Sequence, residues 1–108
     1  MITEQQLIRR GYRKHKGGGI AFQFSDFFYQ LKFTDEDGIR YWLEFVHYEE
    51  LPGGDKGGSW MCNLNINDPH CTFQQHRVKD LDLSEKLAVS VWIAIGAPYY
   101  EKYQETKA

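Results

Sequence analysis

A period-two alternation, with apolar residues at nearly every odd position, is the clearest pattern in the middle of the chain. It covers residues 27–34 and, after a short acidic segment, residues 39–48. A period of two is typical of β-strands that bury one face. Gly38 suits the left-handed position of a three-residue loop, residues 36–38, so we predict a β-hairpin. The predicted register pairs Phe33 with Tyr41, Leu31 with Leu43 and Tyr29 with Phe45 on one face, and Lys32 with Trp42 and Gln30 with Glu44 on the other.

Two more strands and an N-terminal helix are predicted around this hairpin. Apolar residues alternate again over residues 60–66, and a weaker strand follows at about residues 71–78. Near the N-terminus, Thr3 and Gln6 have the spacing of a capping box. Gly11 has the position of a glycine that ends a helix, so a helix of about two turns is expected between Thr3 and Gly11.

A longer helix is predicted near the C-terminus, with Asp82 as its N-cap and Glu85 at the capping-box position. Its apolar residues recur every four positions, which predicts a stripe that packs on the sheet. That stripe consists of Leu83, Leu87, Val91 and Ile95, and it is broadened by Ala88, Trp92 and Ala94. Gly96 and Pro98 predict the end of the helix. We therefore expect one α+β domain over residues 1–108, in which a C-terminal helix packs on a four-stranded antiparallel sheet and a short helix precedes it.

Length and composition exclude several classes of protein. The chain has 108 residues, of which 16% are aromatic, and so many rings favour one small folded domain over a disordered chain. No apolar run approaches the roughly 20 residues of a transmembrane helix. The first residues turn polar at once, which does not fit a secretory signal. Two cysteines suit a reduced compartment better than a disulfide scaffold, so a cytoplasmic protein is predicted.

The residues that most often carry chemistry show no catalytic or metal-binding pattern. The cysteines and histidines in this part of the chain are Cys62, His70, Cys71 and His76. They do not form the close pairs that zinc sites use. No serine lies in a nucleophile-elbow motif, and the glycine-rich residues 53–59 lack the order of a phosphate-binding loop. We therefore predict no metal, no cofactor and no enzymatic activity.

Large rings among charged residues occupy the face of the predicted sheet opposite the C-terminal helix. Such a mixture is typical of surfaces that bind other proteins. We predict a protein-binding site formed by Phe28, Lys32, Trp42, Glu44 and Tyr48. The alternative is that the first helix, or the segment at residues 20–24, covers this face and makes it part of the core.

Charge is distributed unevenly along the chain. Residues 1–16 contain five lysines and arginines and one acidic residue, although the whole chain has a net charge of −2. A basic segment beside exposed rings can bind phosphates and stack on bases. The alternative function is therefore nucleic-acid binding through Arg9, Arg10, Arg13, Lys14 and Lys16. A solvated helix end, where basic residues complement the helix dipole, would explain the same residues without a ligand.

Three segments resemble a loose group of small phage and prophage accessory proteins. They are LIRRGY at residues 7–12, DFFYQ at 26–30 and GIRYW at 38–42. The resemblance extends to the layout of most of the chain, but the group offers no catalytic residues to transfer. It implies a host-interaction or anti-defence role. We therefore predict a small non-enzymatic binding protein, of the kind that inhibits a host defence system. Its predicted partner is a protein, with nucleic acid or a second copy as alternatives and no membrane.

Overall fold

A computed structural model describes residues 1–16, 27–34, 38, 40–48, 58–67 and 70–107. The elements in chain order are α1 (Glu4–Arg9), β1 (Arg13–Lys16), β2 (Phe27–Thr34), β3 (Arg40–Tyr48), β4 (Ser59–Asn67), β5 (His70–Val78), α2 (Leu81–Val91), a π-helical turn (Trp92–Gly96) and α3 (Ala97–Lys107). The strands form one antiparallel sheet in the order β1-β2-β3-β4-β5. The predicted α+β class is confirmed.

Within the described residues the sheet has five strands, so the prediction of four is corrected. The additional strand is β1, which pairs with the first half of β2 from Arg13 opposite Gln30 to Lys16 opposite Phe27. Its sequence, RKHK, contains no apolar residue and therefore no alternation that would indicate a strand. The N-terminal basic segment is thus divided between the end of α1 and an edge strand.

The central hairpin has the predicted register. Tyr29 lies opposite Phe45, Leu31 opposite Leu43 and Phe33 opposite Tyr41, and the polar pairs alternate with them. Gly38 has φ +80°, the left-handed conformation expected of it. Residues 36 and 37 of the predicted loop lie outside the described residues.

The first face of the sheet, which carries the odd-numbered residues of β2 and β3, is covered by both terminal helices. The Thr3–Gln6 capping box is present, and Gly11 follows α1 with φ +99°. Leu7 and Ile2 join the same buried cluster as Phe45. Because α1 packs on the first face, it does not cover the opposite face; residues 20–24, the other predicted cover, lie outside the described residues.

The helix α2 packs on the sheet through a different side from the predicted one. Asp80, not Asp82, is the N-cap, and its carboxylate accepts a hydrogen bond from the Leu83 N–H at 2.9 Å. The residues that face the core are Leu81, Ser84, Ala88 and Trp92. The small side chains of Ser84 and Ala88 let the helix approach the sheet closely. The predicted centre of the stripe is wrong, since Leu83, Leu87 and Ile95 are exposed and Val91 is half-buried. Of the residues predicted to broaden it, Ala88 and Trp92 face the core as expected, and Ala94 is exposed.

The helix also continues past its predicted end. Gly96 is buried, and a Cβ atom there would lie 2.6 Å from the Trp92 ring. Glycine is therefore required by the neighbouring indole rather than by a helix terminus. The turn widens at this point, since the Ala97 N–H donates to the Trp92 carbonyl five residues earlier. A widened turn relieves the clash that Pro98 would otherwise make with the preceding turn.

Candidate binding surfaces

The second face of the sheet carries a row of polar residues that crosses all the strands. Strand register places Arg13, Gln30, Glu44, Asn63 and Gln74 side by side in this row. Glu44 and Asn63 lie at its centre, directly opposite each other on β3 and β4. The row is therefore exposed at its ends and buried in the middle.

The predicted protein-binding residues differ in their exposure on this second face. Lys32 is exposed, Phe28 and Trp42 are half-buried, and Glu44 is only 7% exposed. The Tyr48 side chain lies outside the part of the chain that the structure describes. Glu44 therefore cannot contribute to an exposed patch as the sequence pattern suggested, whereas Lys32 and Trp42 lie opposite each other on β2 and β3.

The buried centre of the second face holds polar atoms that lack partners among the described residues. Gln30 Nε2 donates to Glu44 Oε1 at 3.3 Å. Within the described part of the chain, Glu44 Oε2 and both amide atoms of Asn63 have no hydrogen-bond partner. Asn63 is fully buried. Buried polar atoms are almost always paired, so this pair departs from the normal pattern of a folded core.

The basic segment is partly neutralised by acidic residues. The Arg10 guanidinium binds Asp82, and its Nε lies 2.8 Å from Glu85 Oε1. The hydrogen bond with Asp82 is the main reason that the pKa of Arg10 is raised. Lys14 Nζ lies 3.2 Å from Glu4 Oε1 and lowers the pKa of that carboxyl. Two of the five predicted nucleic-acid contacts therefore already have carboxylate partners.

A cleft of about 510 Å³ lies at the outer edge of the sheet, between the end of α1 and β2. Its walls are formed by Gly11, Arg13, His15, Gln30, Leu31 and Lys32. Among the residues that the structure describes, neither Arg13 nor Lys32 makes an ion pair. The cleft thus combines one residue from each of the two predicted binding sets.

The outward side of the C-terminal helix is apolar over several turns. Leu83, Leu87, Val91, Ile95 and Tyr99 recur every four residues, and we call this set the helix ridge. Leu83 is 66% exposed, Ile95 is 53% exposed, Leu87 and Tyr99 are exposed to a similar degree, and Val91 between them is half-buried against the core. Single exposed apolar residues are ordinary, but several of them at regular spacing on one helix are a candidate interaction site.

Three titratable groups in the main core have pKa values that burial raises. Tyr12 donates a hydrogen bond to Glu85 Oε1 at 3.1 Å, and burial followed by the nearby carboxylate raises its pKa. Burial also raises the pKa of Tyr29 to about 12 and that of the Cys62 thiol to about 12. Cys62 is therefore a neutral core side chain at pH 7, not a nucleophile.

Alkaline pH is expected to destabilise the protein. The ordinary pKa values are 10.0 for Tyr29 and 9.0 for Cys62, and both are raised to about 12 in the folded state. Because the folded state favours the neutral forms, their contribution to stability is complete below about pH 9 and is lost as the pH rises toward 12. Urea unfolding at pH 7, 9 and 10.5 measures this effect. If the free energy of unfolding falls as steeply with pH in Tyr29→Phe as in the unmodified protein, Tyr29 makes no contribution. If the free energy of unfolding of the unmodified protein is the same at all three pH values, the prediction is wrong.

Neither a metal-binding cluster nor a membrane-spanning helix is found among the described residues. Among them, no group of three or more His, Cys, Asp or Glu side chains is placed to hold a metal ion. None of the helices in the described ranges is long and apolar enough to cross a membrane. Comparison with known protein families, curated proteins and solved structures finds no match. Function must therefore be inferred from the surfaces themselves.

Proposed function

We propose that this protein acts by binding another protein and that the helix ridge is the contact surface. The supporting observation is the exposure of Leu83, Leu87, Ile95 and Tyr99 along one side of a helix whose other side is anchored in the core. Amphipathic helices commonly bind by placing residues at such spacing into a partner's groove. The core packing of α2 holds these residues in a fixed arrangement, which lowers the entropic cost of binding.

The ridge replaces the second sheet face as the main contact surface in this proposal. Of the described residues predicted there, only Lys32 is exposed, whereas the ridge has several exposed apolar side chains. An inhibitory role against a host defence system, a non-enzymatic mode of action and a cytoplasmic location stay predictions from the sequence and its resemblance. The partner class is a protein with an apolar groove, and a second copy of the chain is the simplest variant.

Ile95→Lys is expected to weaken partner binding by about 2 kcal/mol or more, roughly 30-fold, because it places a charge in the centre of an apolar contact. Ile93→Lys is the matched control. Ile93 is 67% exposed and lies in the same π-helical turn. Two helical positions turn the chain by about half a turn, so Ile93 points away from the ridge.

Binding is measured by capture from a bacterial lysate with the unmodified chain and both variants as baits, and by light scattering for self-association. A partner, or a dimer, that is kept by Ile93→Lys and lost by Ile95→Lys supports the ridge. Equal retention by both variants shows that the ridge is not the contact surface. Equal loss in both would show that added charge, rather than position, disrupts binding. Circular dichroism verifies that both variants fold.

A further inference from the structure

The cations near the edge of the sheet differ in whether a carboxylate lies beside them. Arg10 and Lys14 are each held by carboxylates. Arg13 and Lys32 are exposed, border the same cleft and have no carboxylate partner among the described residues. The chain as a whole has a net charge of −2, so the two cations in this cleft are opposite in sign to the net charge. Glu44 is the diagonal neighbour of Lys32 on β3, but it is buried and makes no ion pair among the described residues, so the accessible charges of the cleft are positive and favour an anion.

Strand register determines how far apart these cations lie. Arg13 is directly opposite Gln30, and Lys32 is two residues further along β2 on the same face. Diagonal neighbours of this kind in an antiparallel sheet are about 7–8 Å apart. Both side chains are long enough to reach one anion between them. Gly11, which has no side chain, borders the cleft on the other side and leaves it open.

The cleft is larger than a single inorganic anion needs, and a ring lies next to it. Its volume of about 510 Å³ falls within the range of sites for small organic ligands. Trp42 is the direct cross-strand partner of Lys32 on the second face and is half-buried. Trp42 does not line the cleft itself, but its partly exposed indole lies beside Lys32 and can stack on a base whose phosphate the two cations bind.

We propose that this cleft binds a nucleotide unit, with Arg13 and Lys32 at the phosphate and Trp42 against the base. The unit can belong to a free nucleotide or to a single strand of nucleic acid, since both present the same phosphate and base. This site differs from the helix ridge and does not depend on it. It also differs from the predicted basic segment, because it omits Arg10 and Lys14 and adds Lys32.

The test compares two double variants that each remove two positive charges. Arg13→Gln with Lys32→Gln removes the proposed phosphate contacts, and Arg9→Gln with Lys86→Gln removes two exposed cations elsewhere. Calorimetry with AMP and with adenosine, and fluorescence anisotropy with a labelled short oligothymidylate, measure binding at low and moderate salt. The first pair is expected to weaken binding of AMP or of the strand by roughly tenfold or more, and the control pair by less than about twofold. Trp42→Leu should also weaken binding.

The outcomes separate the two sources of the nucleotide unit. Binding of the strand without AMP supports nucleic acid, and similar affinities for AMP and the strand support a free nucleotide. The proposal is overturned if neither probe binds, if both double variants lose affinity equally, or if adenosine binds as tightly as AMP. Far-ultraviolet circular dichroism verifies the fold of each variant, and the substituted cations are all exposed.

Discussion

Replacing Asn63 with leucine is expected to raise the free energy of unfolding by about 1–3 kcal/mol. Asn63 is fully buried, and neither atom of its amide has a hydrogen-bond partner among the residues that the structure describes. The unfolded chain hydrates this amide, and folding removes that water without a replacement from the described residues, so folding carries a desolvation penalty. Leucine branches at the same carbon and has a similar shape. Val46 and Met61, buried on the same face, provide apolar neighbours for it, and Glu44 on the facing strand keeps its hydrogen bond from Gln30.

Asn65→Leu is the matched control for this substitution. Asn65 lies on the same face, two residues along β4, but its Oδ1 accepts a hydrogen bond from the Thr72 hydroxyl at 2.9 Å. Leucine there removes the acceptor and leaves that hydroxyl unpaired, so stability should fall by about 1 kcal/mol. Urea unfolding followed by circular dichroism measures both variants. A loss of stability in Asn63→Leu as large as that in Asn65→Leu would mean that the Asn63 amide is hydrogen-bonded in solution, for example to a buried water.

The sequence was sufficient for the hairpin because its information is local. Alternation in β2 and β3 fixes which side chains share a face, and a slip of one residue would exchange the faces. Gly38 supplies the left-handed conformation that the connection requires. The capping box at Thr3 is equally local, since all of its hydrogen bonds lie within one turn.

The orientation of α2 could not be predicted in the same way because the helix has two apolar sides. The stripe that begins at Leu83 is the more hydrophobic one, and the buried side contains Ser84 and Ala88. The side with Ser84 and Ala88 faces the sheet because it allows a close approach and because Trp92 fills the space beyond it. Both factors depend on residues that are distant in sequence. The sequence does not predict β1 either, because the residues RKHK show no alternation. The extended conformation of this basic segment is evident from its pairing with β2.

The sequence indicates which residues are candidates for binding, but it does not indicate which of them lie together in the fold. The sequence pattern selected both Arg13 and Lys32 but assigned them to different functions. Only the pairing of β1 with β2 brings them to one cleft. Burial of Glu44 was equally hidden, since its place in the alternation is that of an outward-facing residue. Alternation is the same whether that face is covered or exposed, so the sequence of β3 alone does not indicate the burial of Glu44.

Trp92→Ala is expected to cause the largest loss of stability, about 3–5 kcal/mol. The indole is 2% exposed and stacks on the Tyr41 ring with centroids 4.6 Å apart. It fills the space between the π-helical turn and the sheet, and Gly96 is left without a side chain to admit it. Alanine would leave a cavity that the rigid sheet cannot close, and small domains are stable by only about 5–15 kcal/mol. The helix ridge, which depends on this anchor, should lose its fixed position as well.

Trp42→Ala makes the same chemical change at a half-buried position and provides the comparison. Since much less of its indole is removed from water on folding, the loss should be less than half that of Trp92→Ala. Urea unfolding followed by far-ultraviolet circular dichroism is the suitable measurement, because each variant lacks a fluorophore. Similar losses in the two variants would show that Trp92 does not anchor the helix. A larger loss in Trp42→Ala would place the main core on the second face of the sheet, opposite to where α2 packs.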